Sequence, residues 1–242
     1  VISQWAVVES TELGENVEVA EFAIIRRGVG IGNNVIIHPH VVIESGVTIG
    51  DSVEIFPGAY IGKEPKSAGA LAHEPSFRRY VTIGAHSSIG PNAVIYYDVE
   101  IGDHSLIGEG ASIREQGRIG SRCVVSRNVT LNYNVVVGDR TKIMDLTHVT
   151  GNCRIANDVF ISANVVMTND NALGEEGYQD HVVGPTIEEG AMIGAGANLL
   201  PGIVIGCRAI VGAGAVVTRD VEAWCVVMGI PARVVRRREV KA

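Results

Sequence analysis

An aliphatic residue recurs at every sixth position along most of this chain. In residues 89–113, IGPNAVIYYDVEIGDHSLIGEGASI, the residues Ile89, Ile95, Ile101, Ile107 and Ile113 stand six apart. A helix wants apolar residues at a mean spacing of 3.6 and a strand wants them every two. Six fits a short strand, a turn, and the same again. The phase runs unbroken through fifteen positions from Ile83 to Met167, each aliphatic or Met. An earlier block runs from Val7 through Leu13 and Val19 to Ile61, and a later one from Ile187 to Val217. Two positions before the aliphatic residue a small or modest side chain is usual, as at Ala93, Ser105, Ala111, Cys123 and Thr141, and Gly often follows it, as at Gly84, Gly102 and Gly120.

This pattern predicts coils of three six-residue strands wound round a triangular core. Each aliphatic residue fills the interior and contributes about 1.5–3 kcal/mol. The small residue and the Gly let the chain turn. Successive 18-residue coils stack at about 4.8 Å with parallel pairing. The expected fold is all-β, a parallel β-helix of about ten coils. Spacing alone leaves its handedness open.

Composition narrows the partners. The chain has a formal net charge of −7, which argues against a broad basic face for nucleic acid. The opening stretch VISQWAVVESTELGE has neither a basic start nor a long apolar run, so a cytoplasmic protein is expected. The uncharged stretch GAMIGAGANLLPGIVIGC is long enough to raise the question of a membrane span, but Asn198, Pro201 and its many Gly argue against insertion. The four Cys (Cys123, Cys153, Cys207, Cys225) form no CxxC pair and read as free thiols in a reducing compartment.

The rhythm breaks twice, predicting surface loops at 63–80 and 169–186 in a β-helix domain over residues 1–222, followed by a tail over 223–242. Stacking by 18 puts Asp98, Gln116, Asn134, Asn152 and Asp170 on one outward column, with Tyr97, Glu115, Tyr133, Gly151 and Asn169 beside it. Asn132, His148, Thr168 and Asn171 fall near the same edge. A polar groove beside a loop is an active-site candidate. His86, His104, Arg122, Arg140 and Asp158 form a second column that suits an anion, a subunit contact or a plain charged exterior.

The hexads IGDSVE, IGAHSS, IGDHSL and IGAGAN resemble the hexapeptide-repeat family over nearly the whole chain. That resemblance implies a left-handed parallel β-helix assembled as a homotrimer. Carbonic anhydrases of this architecture use three His, two of them five residues apart; no such pair occurs here, and no metal is expected in the chemistry. Residues 187–237 are similar to the acetyl-CoA region of hexapeptide acyltransferases. By that resemblance Ala195, Gly196, Ala213 and Gly214 would let the pantetheine arm lie against backbone, while Arg219, Pro231 and Arg233 would meet the nucleotide end of acetyl-CoA as co-substrate.

The acceptor is read from two further likenesses. DVFISANVVMTNDN, residues 158–171, resembles the segment before the loop in sugar N-acetyltransferases acting on nucleotide-linked amino sugars. Galactoside and maltose O-acetyltransferases begin the matching loop with a basic His, and that position is Asn171 here. KIMDLTHVTGNC, residues 142–153, resembles the catalytic coil of the lipid A pathway's acyl-ACP-dependent O-acyltransferase, whose general-base His would fall at Gly151. A hydroxyl needs a positioned base, whereas a neutral amine needs orientation and a proton exit. The implied reaction is N-acetylation of an amino sugar or nucleotide-sugar. His148 and Asp170 are the candidate catalytic residues, and Asn134, Asn152, Asn169 and Asn171 the candidate substrate ligands. Sugar O-acetylation, acyl-ACP-dependent transfer and a catalytically inactive scaffold remain alternatives.

Overall fold

The computed structural model describes residues 1–70, 74–173 and 182–239. The hexads fold into short strands that visit three parallel sheets in turn. Face 1 has eleven strands, from Val7–Val8 to Val216–Val217. Face 2 has ten, from Glu12–Leu13 to Val204–Ile205. Face 3 has twelve, from Glu18–Val19 to Arg233–Arg237. The face 1 register Ile95↔Ile113↔Leu131↔Val149 shows the 18-residue repeat directly. These residues are fully or almost fully buried, as are Ile25, Ile43, Ile61 and Ile89. The interior is a column of stacked aliphatic side chains, and one coil alone has no means of burying its share.

Three corners join the faces, and each needs a left-handed backbone once per coil. Asp98, Gln116, Asn134 and Asn152 hold φ between 53° and 64° at the corner from face 1 to face 2. His86, His104, Arg122, Arg140 and Asp158 do so from face 2 to face 3, and Asn92, Asn128, Asn164, Gly196 and Gly214 from face 3 to face 1. Asn, Asp and Gly tolerate this region best, which explains much of the polar periodicity in the sequence.

Three expectations need correction. The helix has about eleven coils rather than ten, because short coils close both ends. Val7 is not in the interior phase: Val8 pairs with Ile25, and Val7 is outward and 47% exposed. The first turn is one residue short, with the buried Ser10 hydroxyl donating to the Val29 carbonyl at 2.6 Å. Asp170 leaves its column, because the chain departs there into the second loop and its backbone is not left-handed. At the C-terminal end, Cys225–Met228 pairs in parallel with Ile210–Val211, and Arg233–Arg237 returns antiparallel to it.

Of the expected 63–80 loop, residues 71–73 lie outside the described residues, and its return end is tied to the coil. Asp98 is buried and accepts from Arg118 Nη2 at 2.7 Å, from Arg78 Nη2 at 3.2 Å and from the Arg78 backbone N–H at 3.2 Å. Burial alone would push the Asp98 carboxyl up; the bonds from Arg118 and Arg78 outweigh it and hold the group below the usual range. Phe77 stacks on Tyr97, and Gln116 donates to the Ser76 carbonyl at 3.1 Å. Among the described residues no helix is long and apolar enough to cross a membrane.

Candidate functional site

Alternation along each strand of face 1 sends two columns of side chains outward. One column is Val94, Ser112, Thr130, His148, Val166, Asn198 and Val216, in register coil upon coil. Two residues further along each coil, the second column is Tyr96, Arg114, Asn132, Thr150, Thr168, Leu200 and Thr218. His148 therefore stands in the middle of a polar wall. Its Nδ1 is 2.7 Å from Thr130 Oγ1 on the coil beneath. Burial lowers its pKa from the ordinary 6.5, which favours the neutral imidazole.

Beside this wall the corner carries linked amides. Asn134 Nδ2 donates to Asn152 Oδ1 at 2.7 Å, and Asn152 Nδ2 donates to the Val182 carbonyl at 2.8 Å. Arg154, from face 2, reaches back to the Asn134 carbonyl and to its Oδ1 at 3.2 Å. Asn169 Nδ2 lies 3.4 Å from both the Tyr133 hydroxyl and the Gly151 carbonyl. Asp170 Oδ1 accepts the Ala172 N–H at 2.7 Å, a turn that opens the second loop. Asn171 is exposed on that turn. Of the expected 169–186 loop, residues 174–181 lie outside the described residues.

Sequence reasoning placed Tyr133 in this neighbourhood but gave it no part. Its ring lies over Gly151: a Cβ built there would be 2.5–2.8 Å from three ring carbons. Gly151 is thus a close approach between coils, where any side chain would have to displace the Tyr133 ring. The signal was present in the pairing of a Tyr with a Gly exactly one coil later, though spacing does not give the ring's direction.

The candidate coenzyme residues lie higher on the same side. Ala195–Gly196 and Ala213–Gly214 occupy consecutive turns of the corner from face 3 to face 1, two and three coils above His148, and Gly214 N–H donates to the Ala195 carbonyl at 2.8 Å. A Cβ at Gly196 or Gly214 would meet no atom within 4 Å, so the strip is open. The 229–232 turn packs against it, with Val216 N–H donating to Gly229 at 3.1 Å and Ala232 N–H to Val216 at 2.8 Å. Pro231 is exposed in this turn, and Arg219 and Arg233 line one small cavity of about 150 Å³. The larger cavity, about 390 Å³, is a shallow groove on face 2 lined by Val136, Arg154, Thr186 and Cys207. Of the candidate residues it holds none.

The second column also holds. The His86 and His104 rings stack at 4.8 Å, and Arg140 pairs with Asp158 at 2.7 Å. It lies at the opposite corner from face 1 and does not join the wall.

Comparison with known proteins follows the architecture. The chain is similar to a serine acetyltransferase of Synechococcus elongatus, 45% identical over 69 residues, which is 28% of each chain. It is also similar to a 2,3,4,5-tetrahydropyridine-2,6-dicarboxylate N-acetyltransferase of Staphylococcus aureus, 51% identical over 51 residues, 21% of each. The match therefore spans only about a quarter of these curated relatives. An Arabidopsis UDP-N-acetylglucosamine acyltransferase structure aligns with 98% of this chain and 74% of its own, at TM-score 0.62 and 17% identity. That likeness is one of fold, the left-handed parallel β-helix. The pattern described as bacterial transferase hexapeptide (six repeats) matches residues 28–63, 80–115, 134–169 and 184–219, and the hexapeptide repeat of succinyl-transferase matches 98–133. With more than half of its length accounted for in this way, the chain belongs to the bacterial transferase hexapeptide family.

Proposed function

We propose that this protein is an acyltransferase that moves an acetyl group from acetyl-CoA to the primary amine of an amino sugar, carried as its nucleotide derivative, and that it works as a cytoplasmic homotrimer. The observation that carries the reading is the Tyr133 ring seated on Gly151. It fills the place where a related O-acyltransferase would hold its basic His, and the other O-acyl base position is Asn171. An acceptor that needs no strong base fits such a site. The two acetyltransferase relatives support the choice of acyl group, and the one that is an N-acetyltransferase supports the acceptor atom.

In this reaction the amine nitrogen attacks the thioester carbonyl. The N–C bond forms, the C–S bond breaks, and the amine proton must reach the departing thiolate. In the tautomer that carries its proton on Nδ1, facing Thr130 Oγ1 at 2.7 Å, Nε2 would be the proton acceptor and subsequent donor. Asn134 and Asn152 each retain a second amide N–H beyond those in their mutual network, and with Asn169 and Asn171 would hold substrate hydroxyls or the developing oxyanion. Asp170, fixed by the Ala172 N–H, would orient the ammonium before its deprotonation.

The test is a free-thiol assay with acetyl-CoA and paired amino and hydroxyl sugars, free and nucleotide-linked. Thiol release with amines is expected. Release with hydroxyl sugars and none with amines overturns the proposal.

A further inference from the structure

Face 1 carries a charged feature that the chemistry at His148 does not use. Tyr96 ends the strand Val94–Tyr96, and Lys63, at the start of the first loop, is its register partner. Lys63 Nζ lies 4.2 Å from the centre of the Tyr96 ring, and Arg114 Cζ, one coil up, lies 5.6 Å from it. Two cations thus share one aromatic ring on the wall that bears His148.

Most of the local charge is already paired. Arg114 holds the buried Glu115 through Nε at 3.0 Å and Nη2 at 2.8 Å. Arg79 holds Glu64, and Glu44 faces Arg26 at 3.9 Å while accepting the Tyr60 hydroxyl at 3.1 Å. Lys63 has no ion pair among the described residues, so one positive charge is left over. The Nη1 edge of Arg114 is likewise without a hydrogen bond among the described residues. Across the coil, Asp98 and Tyr97 hold the return end of the first loop through Arg78 and Phe77.

We infer that Lys63, Tyr96 and Arg114 form a subsite for an anionic oxygen group on the acceptor, phosphate or carboxylate in kind. This rests on the acyl-transfer reading, which places the reacting amine at His148. Arg114 stands two coils below His148, roughly 10 Å along the axis at ~4.8 Å per coil. The coenzyme strip lies on the other side of His148, two and three coils above it. The acceptor then lies along face 1 with its anion toward the N-terminal end and its amine toward the thioester. An ammonium supplies a compact charge, a guanidinium edge supplies directed N–H donors, and a phenol adds one more donor.

The experiment is calorimetric titration of the whole protein with inorganic pyrophosphate and, separately, succinate. Lys63→Gln and Lys63→Arg are the variants, since replacing Arg114 would strand the buried Glu115. Binding of either probe should weaken about tenfold in Lys63→Gln and return in Lys63→Arg. Pyrophosphate binding identifies a phosphate subsite, and succinate binding a carboxylate one. No binding of either probe, or equal binding by Lys63→Gln, overturns the inference. Titration needs no turnover, so a failure here leaves the amine chemistry standing, and an acceptor found to react through oxygen leaves this result unaffected.

Discussion

Thr130 Oγ1 and His148 Nδ1 are 2.7 Å apart on directly paired residues of adjacent coils. Strand register, not loop conformation, sets this contact. Thr130→Val keeps the shape and removes the hydroxyl. Steady-state kinetics should show kcat falling about ten- to a hundredfold with KM for acetyl-CoA little changed. Thr130→Ser should retain most of the rate. A full rate in Thr130→Val would remove His148 from the proton path.

The half-buried setting of His148 fixes the direction of its pH dependence. Burial lowers its pKa below 6.5, so the neutral base persists to lower pH than in free imidazole. Turnover per bound substrate should be flat near neutrality and fall as pH drops through that lowered value. Stability follows the same linkage. Between about pH 6.5 and the lower folded value the unfolded chain takes up a proton that the folded chain does not, so stability decreases as pH is lowered through that window. Below the folded value this loss is complete. The melting temperatures of the native protein and His148→Ala, plotted against pH, should therefore differ in slope only inside this window and run parallel above and below it.

Asp98 ties the first loop to the coil, and the price of losing it is set by the two arginines left behind. Asp98→Asn should destabilise the protein by about 2–3 kcal/mol, less than a fully buried pair because Arg78 is largely exposed. Arg78 and Arg79 should become trypsin sites before the coil itself is cut. An unchanged digestion pattern would mean that the Phe77–Tyr97 stack holds the loop unaided.

Repeats declare their own period, and for this reason the coil, its interior residues and its corner columns were readable from residue types alone. The stack of His86 on His104 and the Asn134–Asn152 bond follow from an 18-residue offset and nothing else. What escaped was whatever departs from the period. Asp98 meets Arg118 at an offset of 20 and Arg78 across a loop, and neither offset is a multiple of the coil. The first coil loses one residue at Ser10, which shifted the phase of Val7. Tyr133 and Gly151 do obey the offset, yet the direction of a ring is a packing outcome that a one-dimensional pattern does not hold.

That ring gives its own test. Gly151→Ala places a methyl carbon within 2.5–2.8 Å of Tyr133 and should cost about 1–3 kcal/mol. Tyr133→Ala opens a gap at the same point. The double variant should recover part of the Gly151→Ala loss in denaturant melts, giving a non-additive cycle. Additive losses would mean that the two residues do not press on each other.

The outer surface of the prism is unequal, and this bears on assembly. Face 2 presents Glu100, Arg118 and Arg154. Face 3 presents Leu106, Val124, Lys142, Phe160, Met192 and Ile210 along one column, with Leu106 44%, Phe160 40% and Met192 42% exposed. Val166, beside His148 on face 1, is 39% exposed. A chain that buries face 3 against a neighbour removes this stripe from water, and a ring of three repeats the contact without leaving a free end. It would also set a neighbouring coil opposite the wall that holds His148 and exclude water from the thioester. Sedimentation at micromolar protein should give three chains of 25.6 kDa, about 77 kDa. Phe160→Glu with Met192→Glu should yield monomers that lose turnover while the Thr130–His148 pair stays intact within each chain. A monomer with full activity would show that face 1 needs no neighbour.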